Sequence, residues 1–243
     1  MADKNSQWFT SWFNTPYYHM LYQDRNHQEA ESFMQNLTRY LNLEDNATIL
    51  DLACGKGRHA VYLSSLGYSV TGLDLSSESI AYAKQLENEH LFFDLHDMSL
   101  PYSKKFNAVF NLFTSFGYFE DDEDNLKTLK AIKSNLKPNG IAVIDFMNVD
   151  YVLDNLINEN TKERQSIVFT EKRKYENGYI IKDINFDDEG KSYHYQERVK
   201  AFRLQDFQKL FNEASLSLIE IFGDYKLGKY LPHKSERLIM VLM

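Results

Sequence analysis

Apolar residues recur along the chain with two alternating spacings. Across residues 26–43 they follow a three- and four-residue spacing, which predicts an amphipathic helix. Short apolar runs then predict strands, at 48–52, 68–73, 91–93, 107–112 and 141–146. The segments between these strands combine apolar and polar residues at helical spacing and predict helices, at 58–66, 76–89 and 122–136. Strands that alternate with helices in this way predict a parallel sheet with helices on both faces.

The alternation stops between residues 166 and 202. Asn177-Gly178 is a strong signal for a two-residue hairpin, and Asp188-Glu189-Gly190 is a second turn signal. We therefore predict three antiparallel strands here, at 166–176, 179–187 and 192–202. A helix at 204–214 and strands at 216–222 and 238–242 follow, and the last pair of strands is expected to be antiparallel.

These elements predict one three-layer α/β fold. Its sheet has seven strands in a Rossmann-like arrangement, mostly parallel with an antiparallel last strand, and a small antiparallel β insertion spans 166–202. A length of 243 residues fits a single domain of this kind, covering 1–243.

Charge and composition narrow the partners and the compartment. The formal net charge is −8, which disfavours nucleic acid as a partner. The insertion differs, because residues 162–203 hold ten basic and eight acidic residues. A single cysteine, Cys54, fits a reducing compartment. With no signal-peptide pattern and no apolar run of about 20 residues, we expect a cytoplasmic protein that does not enter membranes.

The turn after the first strand carries the clearest chemical signal. Gly55 and Gly57 let the backbone approach a ligand closely, at the sheet edge where open α/β folds bind ligands. Asp74 ends the second strand, where a carboxylate can accept hydrogen bonds from ribose hydroxyls. The glycine spacing also matches a dinucleotide loop. However, Asp51 brings negative charge to the strand end, which suits a nucleoside with an ammonium group better than a pyrophosphate.

Four segments resemble motifs of the class I S-adenosylmethionine-dependent methyltransferases, of the type that acts on small molecules. They are the glycine loop at 49–59 (ILDLACGKGRH), the second strand end at 70–76 (VTGLDLS), the acidic segment at 94–98 (DLHDM) and the fourth strand at 106–114 (FNAVFNLFT). The turn at 136–140 (LKPNG) resembles the one before the fifth strand of the family. The resemblance implies S-adenosylmethionine as cofactor and a small-molecule methyl acceptor.

The resemblance also implies residue roles. Around the methionine end it implies Asp51 for the ammonium group, Ala53, Gly55 and Gly57 for the carboxylate and ribose, and Asn111 and Phe113 beside the sulfonium. Around the adenosine it implies Asp74 for the ribose hydroxyls, Leu75 and Met98 against the ring, and Asp97 for the amino group. Residues 1–43 resemble a helical, aromatic lid that would place Tyr18, Tyr22 and Arg25 over the cofactor.

The acceptor site is less defined by the sequence. We expect the insertion at 166–202 to cap the open side of the cofactor site. Candidate acceptor-binding residues lie on it or on the rim, and they are Tyr118, His194, Tyr195 and His233. The residues identify no catalytic base, no metal-ligand spacing and no oligomeric state. Two other functions remain open at this stage: an NAD(P)-dependent oxidoreductase on a similar sheet, and a non-catalytic S-adenosylmethionine-binding protein.

Overall fold

The structure, a computed structural model, describes residues 8–23 and 27–243. The helices are α1 (Trp8–Trp12), α2 (Pro16–Leu21), α3 (His27–Leu41), α4 (Arg58–Ser65), α5 (Ser77–Ala83), α6 (Asp122–Asn135), α7 (Val149–Asp154) and α8 (Leu204–Glu213). The strands are β1 (Thr48–Leu52), β2 (Ser69–Asp74), β3 (Leu91–Leu95), β4 (Phe106–Asn111), β5 (Leu136–Met147), β6 (Glu159–Arg164), β7 (Ile167–Glu176), β8 (Tyr179–Asp188), β9 (Lys191–Lys200), β10 (Leu218–Phe222) and β11 (Arg237–Leu242).

The large sheet has seven strands in the order β10-β11-β5-β4-β1-β2-β3. Strands β1 to β5 pair in parallel, and β11 runs antiparallel to both β5 and β10. The strand order reverses at β1, so β1 and β4 leave a crevice at their carboxyl ends, where open α/β sheets bind ligands. The predicted fold class is confirmed.

The core of this sheet follows the two-residue period of its strands. On one face, Val109 and Ile144 pack in a cluster with α6 and α8 residues such as Leu129 and Phe207. On the other face, Phe110 and its neighbours pack with residues of α3, α4 and α5. Burial on both faces explains why the central strands are almost continuously apolar in sequence.

Several helix ends differ from the prediction; α3, for example, ends at Leu41 rather than at residue 43. Helix α5 ends at Ala83 and continues only as a short 3-10 turn to Leu86, rather than reaching residue 89. Helix α6 ends at Asn135, and the side chain of that residue binds the loop before β4. Its Nδ2 donates to the carbonyl oxygens of Tyr102 and Lys104, and its Oδ1 accepts from the Tyr102 amide.

A second, antiparallel sheet has the order β6-β7-β8-β9 and lies between β5 and α8 in the chain. The prediction of three strands here was incomplete, because β6 also belongs to the sheet. Its sequence ENTKER has no apolar residue, and its residues are at least partly exposed, so no hydrophobic pattern marks it. Both predicted hairpin turns are present, with positive φ at Asn177 and Gly178 and at Glu189 and Gly190.

The N-terminal helices pack on the small sheet. Trp12 and Leu21 are buried in a third cluster with Phe169, Ile184 and Phe186 of β7 and β8. Tyr17 packs against Phe186 and donates a hydrogen bond to Asp188 at 2.7 Å. The segment 8–22 and the small sheet therefore share one apolar core, separate from the two cores of the large sheet.

None of the helices within 8–23 and 27–243 combines the length and the apolar character that a membrane crossing requires.

Candidate functional site

A cavity of about 700 Å³ lies at the carboxyl ends of β1, β2, β3 and β4. We call it the large cavity. Each of the four strands contributes wall residues at or just after its end: Asp51 and the loop after β1, Asp74 and Leu75 from β2, Asp97 and Met98 after β3, and Phe113 after β4. The N-terminal segment covers part of it with Phe13, Tyr18, His19 and Tyr22.

The loop after β1 is built from left-handed residues. Ala53, Gly55 and Gly57 have φ values of 63°, 57° and 83°. A Cβ on Gly55 would meet no atom within 4 Å, and Gly55 lines the cavity, so its missing side chain leaves space for a ligand. A Cβ on Gly57 would lie 2.5 Å from the Phe93 ring. Gly57 therefore lets Phe93 of β3 pack beneath the loop.

Asp51 is a buried carboxyl group beside this loop. It is 1% exposed, and its Oδ2 has no hydrogen-bond partner among the described residues. The pKa of Asp51 is raised to about 7, mainly by burial. The Ala60 backbone amide and Arg58 act to lower this pKa, and the negative charge of Asp74 acts to raise it. A buried, unpaired carboxylate oxygen at a cavity wall suits a cationic ligand group.

Asp74 fixes the shape of the loop. Its Oδ2 accepts from the Gly55 amide and its Oδ1 from the Ser76 amide, each at 2.8 Å. Burial raises the pKa of this carboxyl group, and the two amides partly offset that effect. Each carboxylate oxygen has a second lone pair, so Asp74 can still accept hydrogen bonds from a diol.

The wall after β3 combines apolar side chains with a carboxylate. Asp97 accepts a hydrogen bond from the Ser99 amide at 2.8 Å, which fixes its carboxylate at the cavity wall. Leu75 is 39% exposed, and Met98 is partly buried. Two apolar side chains beside one fixed acceptor suit a flat heteroaromatic ring that carries an amino group.

Phe113 and Thr114 form a strained turn at the end of β4. Both have left-handed φ values, 57° and 61°, which are unusual for residues with a side chain. Asp145 of β5 holds the turn: its Oδ2 accepts from the Phe113 amide at 2.8 Å and its carbonyl from the Thr114 amide at 2.9 Å. Arg237 completes the support, since it binds Asp145 Oδ1 at 2.8 Å and Thr114 Oγ1 at 3.0 Å.

A second cavity of about 260 Å³ lies between the two sheets, and we call it the small chamber. Five aromatic residues line both this chamber and the large cavity: Phe13, Tyr18, Tyr22, Phe113 and Tyr118. We call them the aromatic wall, and the two spaces adjoin there. Its other lining residues are Trp8, Thr114, Met147, Val152, Leu156, Arg173, Ile180, Lys182, Glu197 and Val199.

Three of those lining residues are charged and stand side by side across the small sheet. Arg173 of β7 pairs in register with Lys182 of β8, which pairs with Glu197 of β9. Lys182 Nζ lies 2.6 Å from Glu197 Oε2 and also contacts the Tyr22 hydroxyl. Arg173 contacts Asn160 and donates to Glu171 Oε2 at 2.7 Å.

Glu197 also joins the N-terminal segment to the small sheet. Its Oε1 accepts from Trp12 Nε1 at 2.8 Å and from the Tyr22 hydroxyl at 2.6 Å. Burial alone would raise the pKa of Glu197, but Lys182 and these two donors lower it, so the group is held ionised.

The structure brings together most of the residues that the sequence proposed. The large cavity is lined by Tyr18, Tyr22, Asp51, Ala53, Gly55, Asp74, Leu75, Asp97, Met98, Phe113 and Tyr118. Gly57 instead contacts Phe93, and Asn111 is fully buried, with its Nδ2 donating to the Leu52 carbonyl at 3.1 Å. Arg25 lies outside the described residues.

Three proposed acceptor-binding residues lie away from both spaces. His194 is on the exposed face of β9, opposite to Glu197, and contacts Asp183 at 3.2 Å. Tyr195 stacks on Trp12 with ring centroids 4.5 Å apart. His233 is exposed and pairs with Asp154 at 2.8 Å. Strand alternation accounts for His194 only, because Tyr195 shares the face of β9 that carries Glu197 but packs into the third cluster. His233 lies in the loop before β11.

Sequence reasoning missed the charged residues of the small chamber. Lys172, Arg173 and Lys174 form a basic run, and only the pleat of β7 decides that Arg173 points inward. The signal that could have found them is the two-residue period: Phe169, Glu171 and Arg173 share one face. A charged residue on the face of a strand that otherwise carries apolar residues indicates a polar side chain in the protein interior.

The fold and the large cavity suit a protein that binds a nucleoside with a cationic tail at the carboxyl edge of an α/β sheet. The methyltransferase domain family matches residues 43–214, which is more than half of the chain, and the chain belongs to that family. This confirms the resemblance to class I S-adenosylmethionine-dependent methyltransferases and the cofactor that it implies.

Named relatives agree with this assignment. The putative methyltransferase YqeM of Bacillus subtilis (strain 168) is 34% identical over 108 residues, which are 43% of this chain and only 44% of that protein. A glycine/sarcosine N-methyltransferase of Aphanothece halophytica is 25% identical over 83% of this chain and 77% of its own length. A crystal structure of an S-adenosylmethionine-dependent methyltransferase from Clostridium acetobutylicum ATCC 824 superposes with a TM-score of 0.79 at 21% identity, and covers 93% of this chain and 95% of that one.

Proposed function

We propose that this methyltransferase transfers a methyl group from S-adenosylmethionine to the nitrogen of a small amine bound in the small chamber. The observation that carries the proposal is the pair of adjoining spaces: a large cavity with an unpaired carboxylate, and a small chamber that meets it at the aromatic wall. The similarity to a glycine/sarcosine N-methyltransferase supports nitrogen as the acceptor atom.

The cofactor roles follow from the cavity walls. Asp51 would pair with the ammonium group, Asp74 would accept from the ribose hydroxyls, and Asp97 would accept from the adenine amino group. Gly55 leaves room for the methionine moiety, and Leu75 and Met98 would pack on the two sides of the adenine. The unpaired, buried Oδ2 of Asp51 is the feature that best fits the group, since it gains the partner that the described residues do not give it.

When bound, S-adenosylmethionine would supply an electrophilic methyl group. Transfer would break its carbon–sulfur bond as the carbon–nitrogen bond forms, and the methylated nitrogen would then lose a proton to water. The lone pair of a neutral amine is the nucleophile, so a strong base is not required. Glu197 is poorly suited to take that proton because three donors stabilise its charge. The protein would contribute by aligning S-adenosylmethionine with the amine and by excluding water.

The N-terminal segment and the small sheet would act as lid and cap. Tyr18, Tyr22 and Tyr118 line both spaces, whereas the small sheet lines only the small chamber, through residues such as Arg173 and Glu197. The cap would therefore act by enclosing the acceptor beside the cofactor cavity. Aromatic walls favour a sulfonium cation without hydrogen-bonding to it, which leaves the donor reactive.

Calorimetry and a transfer assay test the proposal. We expect S-adenosylmethionine to bind and NAD not to bind, and the release of S-adenosylhomocysteine to depend on added primary or secondary amines. Matched alcohols of the same size serve as controls for the acceptor atom. Binding of NAD instead would contradict the cofactor, whereas cofactor binding without transfer to any amine would contradict the reaction.

A further inference from the structure

The small chamber has an excess of hydrogen-bond donors and of positive charge. Arg173 and Lys182 both line it, and Glu197 is the carboxylate among its described lining residues. The ion pairs of these residues form a cluster of three cations and two carboxylates. The cations are Lys162, Arg173 and Lys182, and the carboxylates are Glu171 and Glu197. The cluster therefore carries a net charge of one positive unit, within a protein whose formal net charge is −8.

Arg173 and Lys182 are also directly opposite each other on neighbouring strands. Like charges in such a pair destabilise a sheet, so this arrangement needs an anion nearby. Glu171 supplies part of it: it is fully buried and binds Arg173 at 2.7 Å, but its Oε1 lies 3.8 Å from Lys182 Nζ, beyond hydrogen-bond distance. Glu197 is already held by Lys182, Tyr22 and Trp12.

Donors remain available in the chamber wall. Arg173 has five N–H groups, and its side-chain acceptors among the described residues are Asn160 and Glu171. The side chain is 23% exposed, so the remaining donors can be reached. Trp8 also lines the chamber, and its indole Nε1 is buried with no hydrogen-bond partner within the described part of the chain.

The volume limits what can fill this space. Pockets that enclose drug-sized ligands have volumes of about 300–1,000 Å³, and the chamber has about 260 Å³. An acceptor enclosed here is therefore smaller than such a ligand. Apolar residues such as Val152, Ile180 and Val199 line the rest of the space and favour a compact molecule with one charged end.

We propose that the methyl acceptor is a small molecule with an anionic group, and that Arg173, with Lys182 beside it, binds that group in the small chamber. The inference rests on the proposed amine transfer and specifies its substrate class. A carboxylate fits best, because the planar guanidinium can bind it through two parallel hydrogen bonds. A phosphate or a sulfonate would share the same chemistry.

The first test compares acceptors that differ only in the anion. Glycine and glycinamide form one pair, β-alanine and its amide a second, and phosphoethanolamine and ethanolamine a third. We expect kcat/KM to be about ten- to a hundredfold higher for the anionic member of at least one pair, the scale of hydrogen bonds to a charged group. The pair with the largest ratio separates a carboxylate from a phosphate.

Variants of Arg173 assign the effect to this residue. In Arg173→Gln the preference should fall to about onefold, and Arg173→Lys should restore part of it by returning the charge without the fork. Lys172→Gln is the matched control, because Lys172 is the preceding residue on β7, is 57% exposed and pairs with Glu159 on the other face. It should leave the ratio unchanged.

A binding measurement keeps the inference separate from the transfer reaction. Protein saturated with S-adenosylhomocysteine should be stabilised against heat by acetate or by inorganic phosphate, and Arg173→Gln should lose that stabilisation while Lys172→Gln keeps it. Equal transfer to both members of every pair would overturn the anionic subsite and leave amine transfer standing. Anion binding without any amine transfer would contradict the proposed function instead, and absence of both would overturn this inference as well.

Discussion

At the scale of single residues, two glycines in one loop have different roles. Gly55 and Gly57 both have positive φ, but only Gly55 lines the large cavity, whereas Gly57 makes room for Phe93. The glycine loop of the sequence motif therefore combines a ligand-approach residue with a packing residue two positions later.

We expect alanine at these two positions to separate binding from stability. Gly55→Ala should cost about 1 kcal/mol of unfolding free energy through backbone strain, and should weaken S-adenosylmethionine binding because the Cβ enters the cavity. Gly57→Ala should cost more, about 2–4 kcal/mol, because strain adds to a clash with Phe93. Urea unfolding and calorimetry on both proteins give the comparison. Equal losses of stability would contradict the two roles.

We expect Asp51 to make the affinity for S-adenosylmethionine depend on pH. The pKa of Asp51 is about 7 in the free protein, so the carboxyl group is mostly protonated below that pH and ionised above it. Only the ionised form pairs with an ammonium group. Lowering the pH should therefore weaken S-adenosylmethionine binding by about tenfold per pH unit below about pH 7.

Calorimetry between about pH 5.5 and about pH 7.5 measures this dependence. Asp51→Asn is the control, since it keeps the size of the side chain and removes the titrating group. It should bind weakly at every pH, with a flat profile. An equally steep profile in the asparagine variant would assign the dependence to another group.

Part of the candidate site could be predicted from individual residues of the sequence. Asp51, Asp74 and Asp97 each end a strand or follow one, and parallel strands bring their carboxyl ends to one edge. That rule alone predicts that the three carboxylates lie at the same edge of the sheet. Asn111 obeys the same rule but turns into the core to bind the Leu52 carbonyl, and only side-chain packing decides this.

At the scale of elements, an ion pair between β5 and β11 supports the turn after β4. Asp145 and Arg237 are joined at 2.8 Å, and their side chains are 0% and 18% exposed. Asp145 also holds the amide of Phe113, whose ring stacks on Tyr225 at 5.2 Å and lies 4.5 Å from the Arg58 guanidinium. Through Arg237, the antiparallel last strand thus supports the turn that places Phe113 at the cavity wall.

Removal of Arg237 should lower the free energy of unfolding far more than removal of an arginine from a similar ion pair at the surface. Arg237→Met leaves a buried carboxylate without its cation, so we expect a loss of about 3–5 kcal/mol in unfolding free energy and weaker cofactor binding. Arg203→Met is the control, because Arg203 joins Asp150 at the same distance of 2.8 Å but is 45% exposed. Its cost should be about 0–1 kcal/mol.

Urea unfolding of both variants, with calorimetry of S-adenosylmethionine, checks the prediction. If the two arginines had equal effects on stability, burial would not be what distinguishes the pairs.

Elements with a strong apolar period were predictable, and polar ones were not. The five parallel strands and helix α3 follow from their hydrophobic spacing because they bury one or two faces. Strand β6 could not be found this way, since hydrogen bonds to β7 define it and its side chains remain partly accessible. The two hairpin turns were predictable because they need positive φ at defined positions.

At the scale of the whole molecule, three cores meet around two spaces. Two lie on the faces of the large sheet, and the third joins the N-terminal segment to the small sheet. The sequence predicted the large sheet and the existence of an insertion. It could not predict that the aromatic N-terminal segment packs on that insertion, because no periodicity specifies which two amphipathic surfaces meet.

The hydrogen bonds to Glu197 have a consequence for how the chain is made. Trp12 precedes that carboxylate by 185 residues and Tyr22 precedes it by 175. During translation the aromatic segment leaves the ribosome long before the strand that will bury it, and contacts so distant along the chain form slowly. The aromatic side chains of this segment therefore stay exposed to water until β9 has been synthesised, and this interval is when the nascent chain is most prone to aggregation.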